Sequence, residues 1–346
     1  QTTTIEALND KFTDASQKSL ANYSFYFGAT NNNTHLISQL DKQQVCGIKL
    51  FMGASTGNML VDRMETLKDL FEHAGMLIAV HCEDQSIINA NIASYKGEND
   101  EDLDIKYHPL IRDERACYES SALAVQLAKE TGARLHILHI STAKELELLE
   151  NKPLAEKTIT AEVCVSHLFF CDKDYEQLGA RIKCNPSIKT QNDRDALRKA
   201  IQSNLVDVIG TDHAPHLENE KKGDYLKAPS GIPTVQHSLQ MMLQLNSQGI
   251  ISKEQIVKMM CHAPADCFRV EKRGYIRQGY YADIVIFKKE KYTVTKENVA
   301  YKCGWSPFEG ESFDYTITDT FINGTHTVAD GKLTGNINAK RLEFDN

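Results

Sequence analysis

Leu77-Ile78-Ala79-Val80-His81-Cys82-Glu83-Asp84 is an unbroken apolar run that stops at a histidine and two acids. A strand with one face in water alternates apolar and polar side chains. A run without that alternation reads as a strand covered on both faces, as in a parallel sheet flanked by helices. Outward from this run (76–82), the same texture recurs at 24–30, 47–53, 134–140, 158–164 and 205–211. Helical patterns at 60–73, 117–131, 143–149 and 193–203 fall between the runs. Strand then helix, repeated, predicts a parallel sheet with crossover helices.

His81, His139 and Asp212 each sit at or just past the carboxyl end of such a run. In a (β/α)8 barrel that edge carries the active site. An open doubly wound sheet also binds ligands there, but no glycine-rich phosphate loop follows any run. The expected fold class is therefore α/β, a TIM-like (β/α)8 barrel. Six runs are visible where a barrel needs about eight strands. The helical patterns at 231–248 and 253–261 lead into no further run, so the first two strands are expected before residue 1. The absence of an initiator Met points the same way. From about Gly274 the segments 274–279, 282–287 and 321–328 read as short strands, with Asn323-Gly324 as a hairpin turn. The expected organisation is an N-terminally incomplete barrel over 1–273 and a small C-terminal β domain and tail over 274–346.

The 346 residues are 41% hydrophobic and 25% charged, enough for one large domain and a small one. A net charge of -8 argues against a nucleic-acid partner. No apolar run approaches the roughly 18 residues of a membrane span, and the first residues carry no signal-peptide pattern. The nine Cys include no C-x-x-C pair, so reduced thiols and a cytoplasmic location are expected. The polar stretches 95–111 and 219–227 read as loops near the face where the strand-end residues gather.

The chemistry concentrates in a few places. In Gly210-Thr211-Asp212-His213-Ala214-Pro215-His216 a carboxylate ends a buried strand, where it must be paired, metal-bound or a helix cap. A lone strand-end His is more often a core residue, but His81, His139 and Asp212 on equivalent ends form a set that Zn²⁺ prefers when thiolates are absent. His136, three residues from His139, points to the opposite face and reads as structural. Lys49 lies inside the run Gly47-Ile48-Lys49-Leu50-Phe51. It is either an ion-pair partner of Asp212 or a lysine neutralised by burial and carboxylated.

Together these residues resemble the amidohydrolase superfamily and, within it, the dihydroorotases. The resemblance runs through nearly the whole chain: the Lys49 strand, His81-Cys82-Glu83-Asp84, His139-Ile140-Ser141-Thr142, 160–169, Lys183-Cys184-Asn185-Pro186, 211–216, Ala228-Pro229-Ser230-Gly231, and Trp305-Ser306-Pro307-Phe308 in the tail. It implies two zinc ions bridged by carboxylated Lys49, with His81, His139 and Asp212 as further ligands and Asp212 as general base and acid. Asn185, His216 and the backbone near Ala228 and Gly231 would hold substrate. The implied reaction is reversible hydrolysis of dihydroorotate to N-carbamoyl-L-aspartate in pyrimidine biosynthesis. The H-x-H pair that the family carries on its first strand is absent here, in keeping with strands expected before residue 1.

Ser55 and Thr56 correspond to a substrate-covering loop in some relatives, or to an ordinary turn. His167 stands where many relatives carry a His pair and reads as structural. A homodimer, and aspartate transcarbamoylase as a candidate partner, are the expected associations. The rivals are a hydantoinase, dihydropyrimidinase or allantoinase with the same site and other substrate contacts, and a non-catalytic assembly subunit, which has no need of Lys49, His81, His139 and Asp212.

Overall fold

The computed structural model describes residues 1–53, 59–96, 103–223 and 225–345. Six parallel strands lie side by side in sequence order: β1 (Phe27–Gly28), β2 (Ile48–Gly53), β3 (Ile78–Glu83), β4 (Leu135–Ile137), β5 (Ile159–Cys164) and β6 (Val208–Gly210). With the helices between them they have the architecture of a (β/α)8 barrel, with a separate antiparallel sheet after it. All six runs read from the sequence are strands, each trimmed to its hydrogen-bonded centre.

Every residue of β3 is buried, as its unbroken apolar run requires. In β2, by contrast, Ile48, Leu50 and Met52 enter the core while Lys49 and Phe51 are only half-buried. The parallel register pairs Phe51 with His81, Val80 with Ile137, Ile137 with Ala161, and Cys164 with Gly210. That alignment brings the carboxyl ends of the strands to one edge.

Local signals set the helices between the strands. Asp113 caps Glu114–Thr131 by accepting from the Ala116 amide at 2.8 Å, and Gly132 ends it in the left-handed conformation, where a side chain is disfavoured. Thr190 and Asp193 form a capping box at the start of Gln191–Ala200. Helix Ile5–Lys18, whose buried face is only Leu8 and Phe12, was not apparent in the sequence pattern. The expected helix at 143–149 is a 3-10 segment, Lys144–Leu148.

In the C-terminal part, β7 (Ile284–Lys288), β10 (Thr316–Ile322), β11 (Thr325–Ala329) and β12 (Lys332–Leu333) form an antiparallel sheet in the order β12-β11-β10-β7. Asn323 and Gly324, both at positive φ, make the tight turn between β10 and β11. The expected strand at 274–279 is not formed; the segment is turn and bend, with Ile276 90% exposed. A two-stranded ribbon, β8 (Tyr292–Thr293) with β9 (Ser312–Phe313), belongs elsewhere. Val294, Phe308 and Phe313 join the main hydrophobic core, and Phe308 stacks on Phe170 at 5.3 Å.

Candidate active site

At the carboxyl edge of the parallel strands lies a cavity of about 540 Å³. Lys49 from β2, His81 from β3, and His139 and Asp212 just beyond β4 and β6 line it. So do Asn185 and His216, together with Ala228 and Gly231 from the loop opposite. All eight residues singled out in the sequence therefore share one cavity. Ser55 and Thr56 lie outside the described residues.

His139 and Asp212 both have positive φ, 39° and 43°. Non-glycine residues held there store about 1–3 kcal/mol each, a cost often found where side chains are aimed for function. The imidazoles of His81 and His139 face each other, Nδ1 to Nε2 at 3.1 Å. His81 Nε2 lies 3.0 Å from the Glu83 carboxylate, which can only accept, so Nε2 carries the hydrogen. In a neutral His81 ring Nδ1 is then the acceptor, and His139 Nε2–H is the donor. Burial lowers the pKa of both histidines, with the Lys49 charge adding to the effect, so both rings are held neutral. Glu83 is completely buried; burial alone pushes its carboxyl up, but the Arg112 guanidinium at 2.5 Å and His81 hold it down at about 2.

Asp212 reaches solvent through the cavity mouth, yet most of its surroundings are protein. This desolvation, with the nearby Glu162 charge, pushes its carboxyl up to about 6 against the opposing Lys49 ammonium. Burial brings Lys49 down to about 8, against the pull of Asp212 and Glu162. The Lys49 ammonium rests over the Phe51 ring, 4.4 Å from its centre.

Opposite these groups, the loop carrying Ala228 and Gly231 is fixed from below by two buried lysines. Lys221 Nζ donates to the carbonyls of Pro229 at 2.7 Å, Gly231 at 2.9 Å and Lys183 at 3.2 Å. Lys183 Nζ donates to those of Tyr225 and Ala228 at 2.6 and 2.5 Å. Gly231 has φ +148°, and a Cβ there would lie 2.6 Å from the Ala214 carbonyl and 2.9 Å from the His216 ring. His216 Nε2 donates to the Ser230 carbonyl at 3.1 Å, and Asn185 Oδ1 accepts from the Ser230 hydroxyl at 3.0 Å. The Trp305 indole N–H braces the His216 carbonyl at 2.8 Å. His213 and His167 are otherwise engaged: His213 Nδ1 accepts from the Thr234 amide, and buried His167 donates to the Pro186 carbonyl.

The expected pair of zinc ions bridged by carboxylated Lys49 is not borne out. Among the described residues no three His, Cys, Asp or Glu side chains converge so as to hold a metal ion. The physical reason is visible in the histidines: His81 spends one ring nitrogen on His139 and the other on Glu83. Arg112 and Glu83 were missed in the sequence. Glu83 lies two residues beyond His81 on the same strand, hence on the same face, and that spacing was the available signal.

A family model described as "Amidohydrolase family" matches residues 51–327. An allantoinase of Bacillus velezensis is 28% identical over 335 residues, 95% of this chain and 73% of the relative. A dihydroorotase of Methanosarcina acetivorans is 30% identical over 327 residues, 89% of this chain and 68% of the relative. The solved L-hydantoinase (dihydropyrimidinase) of Arthrobacter aurescens superposes with a TM-score of 0.92 at 25% identity, over 99% of this chain and 78% of that one.

Proposed function

The chain belongs to the amidohydrolase family, and from that premise we propose that it opens the ring amide of an uncharged cyclic substrate of the hydantoin or allantoin kind. The observation that carries this reading is Asp212, the acid among the described cavity-lining residues, poised at about 6 beside the Lys49 ammonium. Above that pH the carboxylate takes a proton from a water placed against the ring carbonyl. It then returns the proton to the departing ring nitrogen. Lys49, brought down to about 8 and so mostly charged at neutral pH, stabilises the oxyanion that develops on the carbonyl. Asn185, His216 and the peptide groups of Ala228 to Gly231 hold the ring.

An uncharged ring is favoured because two of the cations lining the cavity, Arg112 and Lys183, already serve protein acceptors, and Lys49 is the group given to the oxyanion. Arg112 bonds Glu83, and Lys183 bonds two carbonyls. Dihydroorotate is the second reading, supported by the dihydroorotase relative. Turnover of hydantoin, allantoin and dihydroorotate by the same purified protein separates the readings. We expect hydantoin or allantoin to exceed dihydroorotate in kcat/KM by about tenfold or more, the scale of a single well-placed contact. The reverse ranking selects the second reading. No turnover of any of the three by folded protein overturns both and returns the assembly-subunit reading.

A further inference from the structure

The two polar stretches that the sequence marks as loops near the site, 95–111 and 219–227, meet at His108 and Tyr225. His108 is completely buried. Its Nε2 lies 2.8 Å from the Cys184 carbonyl, and its Nδ1 lies 2.9 Å from the Tyr225 hydroxyl. A carbonyl only accepts, so Nε2 carries a hydrogen and donates it. Burial, helped by the Arg112 and Lys183 charges, lowers the His108 pKa well below its ordinary value against the pull of the Cys184 carbonyl, so the ring is neutral. Nδ1 is then an acceptor, and the Tyr225 hydroxyl is its donor. Burial pushes that hydroxyl up to about 12, so it keeps its proton.

Both partners of His108 lead straight into the lining of the cavity that holds Asp212. Cys184 precedes Asn185, and Tyr225 opens the stretch 226–231, all of which lines it. The Tyr225 ring is buried apart from the main core, in a small cluster with Ile88, Leu103, Ile111 and Ala116. The Lys183 ammonium lies 4.5 Å from its centre. Apolar burial has no preferred direction. It keeps the ring in its cluster and leaves the hydroxyl unaimed. The hydrogen bond to His108 aims it, and a buried bond of this kind is costly to leave unmade. Lys183 and Lys221 hold the loop by its carbonyls; His108 holds it by a side chain, at the residue where it begins.

We propose that His108 is a positioning residue for ring opening: through Cys184 and Tyr225 it fixes Asn185 and the 226–231 loop relative to each other, and so shapes the surface that receives the substrate ring. The inference rests on the reading of this cavity as the place where a ring amide is opened. His108 does not itself line the cavity, so its action passes through these two partners. Loss of either contact leaves Lys49 and Asp212 in place and loosens the surface that grips the ring. The effect therefore falls on substrate binding, not on the proton transfers.

The test uses Tyr225→Phe, which deletes one oxygen and keeps the ring in its cluster, and His108→Gln, which keeps a donor for the Cys184 carbonyl and loses the acceptor for Tyr225. With whichever of hydantoin, allantoin and dihydroorotate the wild type opens best, each variant should raise KM about three- to tenfold, the scale of one neutral hydrogen bond, and change kcat less than about twofold. The double variant should match the single ones, because all three lack the same contact. Hydrogen exchange read by mass spectrometry needs no turnover: in Tyr225→Phe the peptide 225–231 should exchange about threefold or more faster, with 48–53 unchanged. A folded Tyr225→Phe protein with wild-type KM, or with wild-type exchange over 225–231, overturns the proposal. Effects that multiply in the double variant overturn it too, since the two residues then act separately. Should His108→Gln not fold, Tyr225→Phe decides alone. If the wild type opens none of the three rings, the reading of the function fails by itself, and the exchange over 225–231 still decides whether His108 fixes the loop.

Discussion

His81 and His139 touch ring to ring, Nδ1 to Nε2 at 3.1 Å, and both are held neutral. Below the ordinary histidine pKa of about 6.5 the unfolded chain takes up protons that the folded one refuses, so stability falls as pH drops. Each such histidine contributes up to about 1.4 kcal/mol per pH unit in that range. Urea unfolding of wild type and His139→Gln at pH 7.5 and 5.5 should show the smaller acid loss in the variant. Identical losses would mean that His139 does not titrate as its contacts require. Glu83 adds a separate window with the depressed-carboxylate sign: its contribution is full above about 4.5 and is lost as pH falls toward about 2.

Asp212→Asn should lower kcat by about 10²- to 10⁴-fold, the usual contribution of a general base, with the circular dichroism spectrum unchanged. In the wild type, kcat/KM should rise with pH through about 6, the value to which the Asp212 carboxyl is pushed. A folded Asp212→Asn protein with near wild-type turnover would remove Asp212 from the reaction.

Lys221 acts on the cavity from behind, through the three carbonyls it holds. Lys221→Met keeps the length of the side chain and removes the donor. Stranding buried carbonyls costs about 1–3 kcal/mol, and the released loop should raise KM more than it lowers kcat. Thermal unfolding and steady-state kinetics check the two halves separately; an unchanged KM would show that the loop keeps its place without Lys221.

Gly231→Ala tests the same loop by collision. The added methyl meets the Ala214 carbonyl and the His216 ring inside contact distance, on a backbone that disfavours any side chain. We expect at least about tenfold loss of kcat/KM with little loss of the helical signal, because the loop moves and the barrel does not. Wild-type kinetics in this variant would place substrate away from His216.

The strands were legible because burial on both faces leaves an unbroken apolar run, and their ends in turn made His81, His139 and Asp212 legible as neighbours. Helix Ile5–Lys18 escaped because only Leu8 and Phe12 mark its inner face. Lys183 and Lys221 look like ordinary charged loop residues. Their burial depends on carbonyls that only the folded loop supplies. The zinc expectation failed at the level of side-chain rotamers: residue spacing brought the histidines together and put Glu83 on the face of His81, but the ring-to-ring contact that occupies a nitrogen of each histidine is not set by spacing.

Trp305 ties the fate of the active cavity to a distant stretch of the chain. Its indole grips the His216 backbone, Arg181 lies over its ring and bonds the Ser306 carbonyl, and Phe308 is wedged against Phe170. A protease cut between 273 and 305 should therefore leave two pieces that travel together on a sizing column and part only when the barrel melts. Transplanting the C-terminal sheet from a relative would need this aromatic anchor carried with it, or the graft would silence the enzyme without altering a single cavity residue.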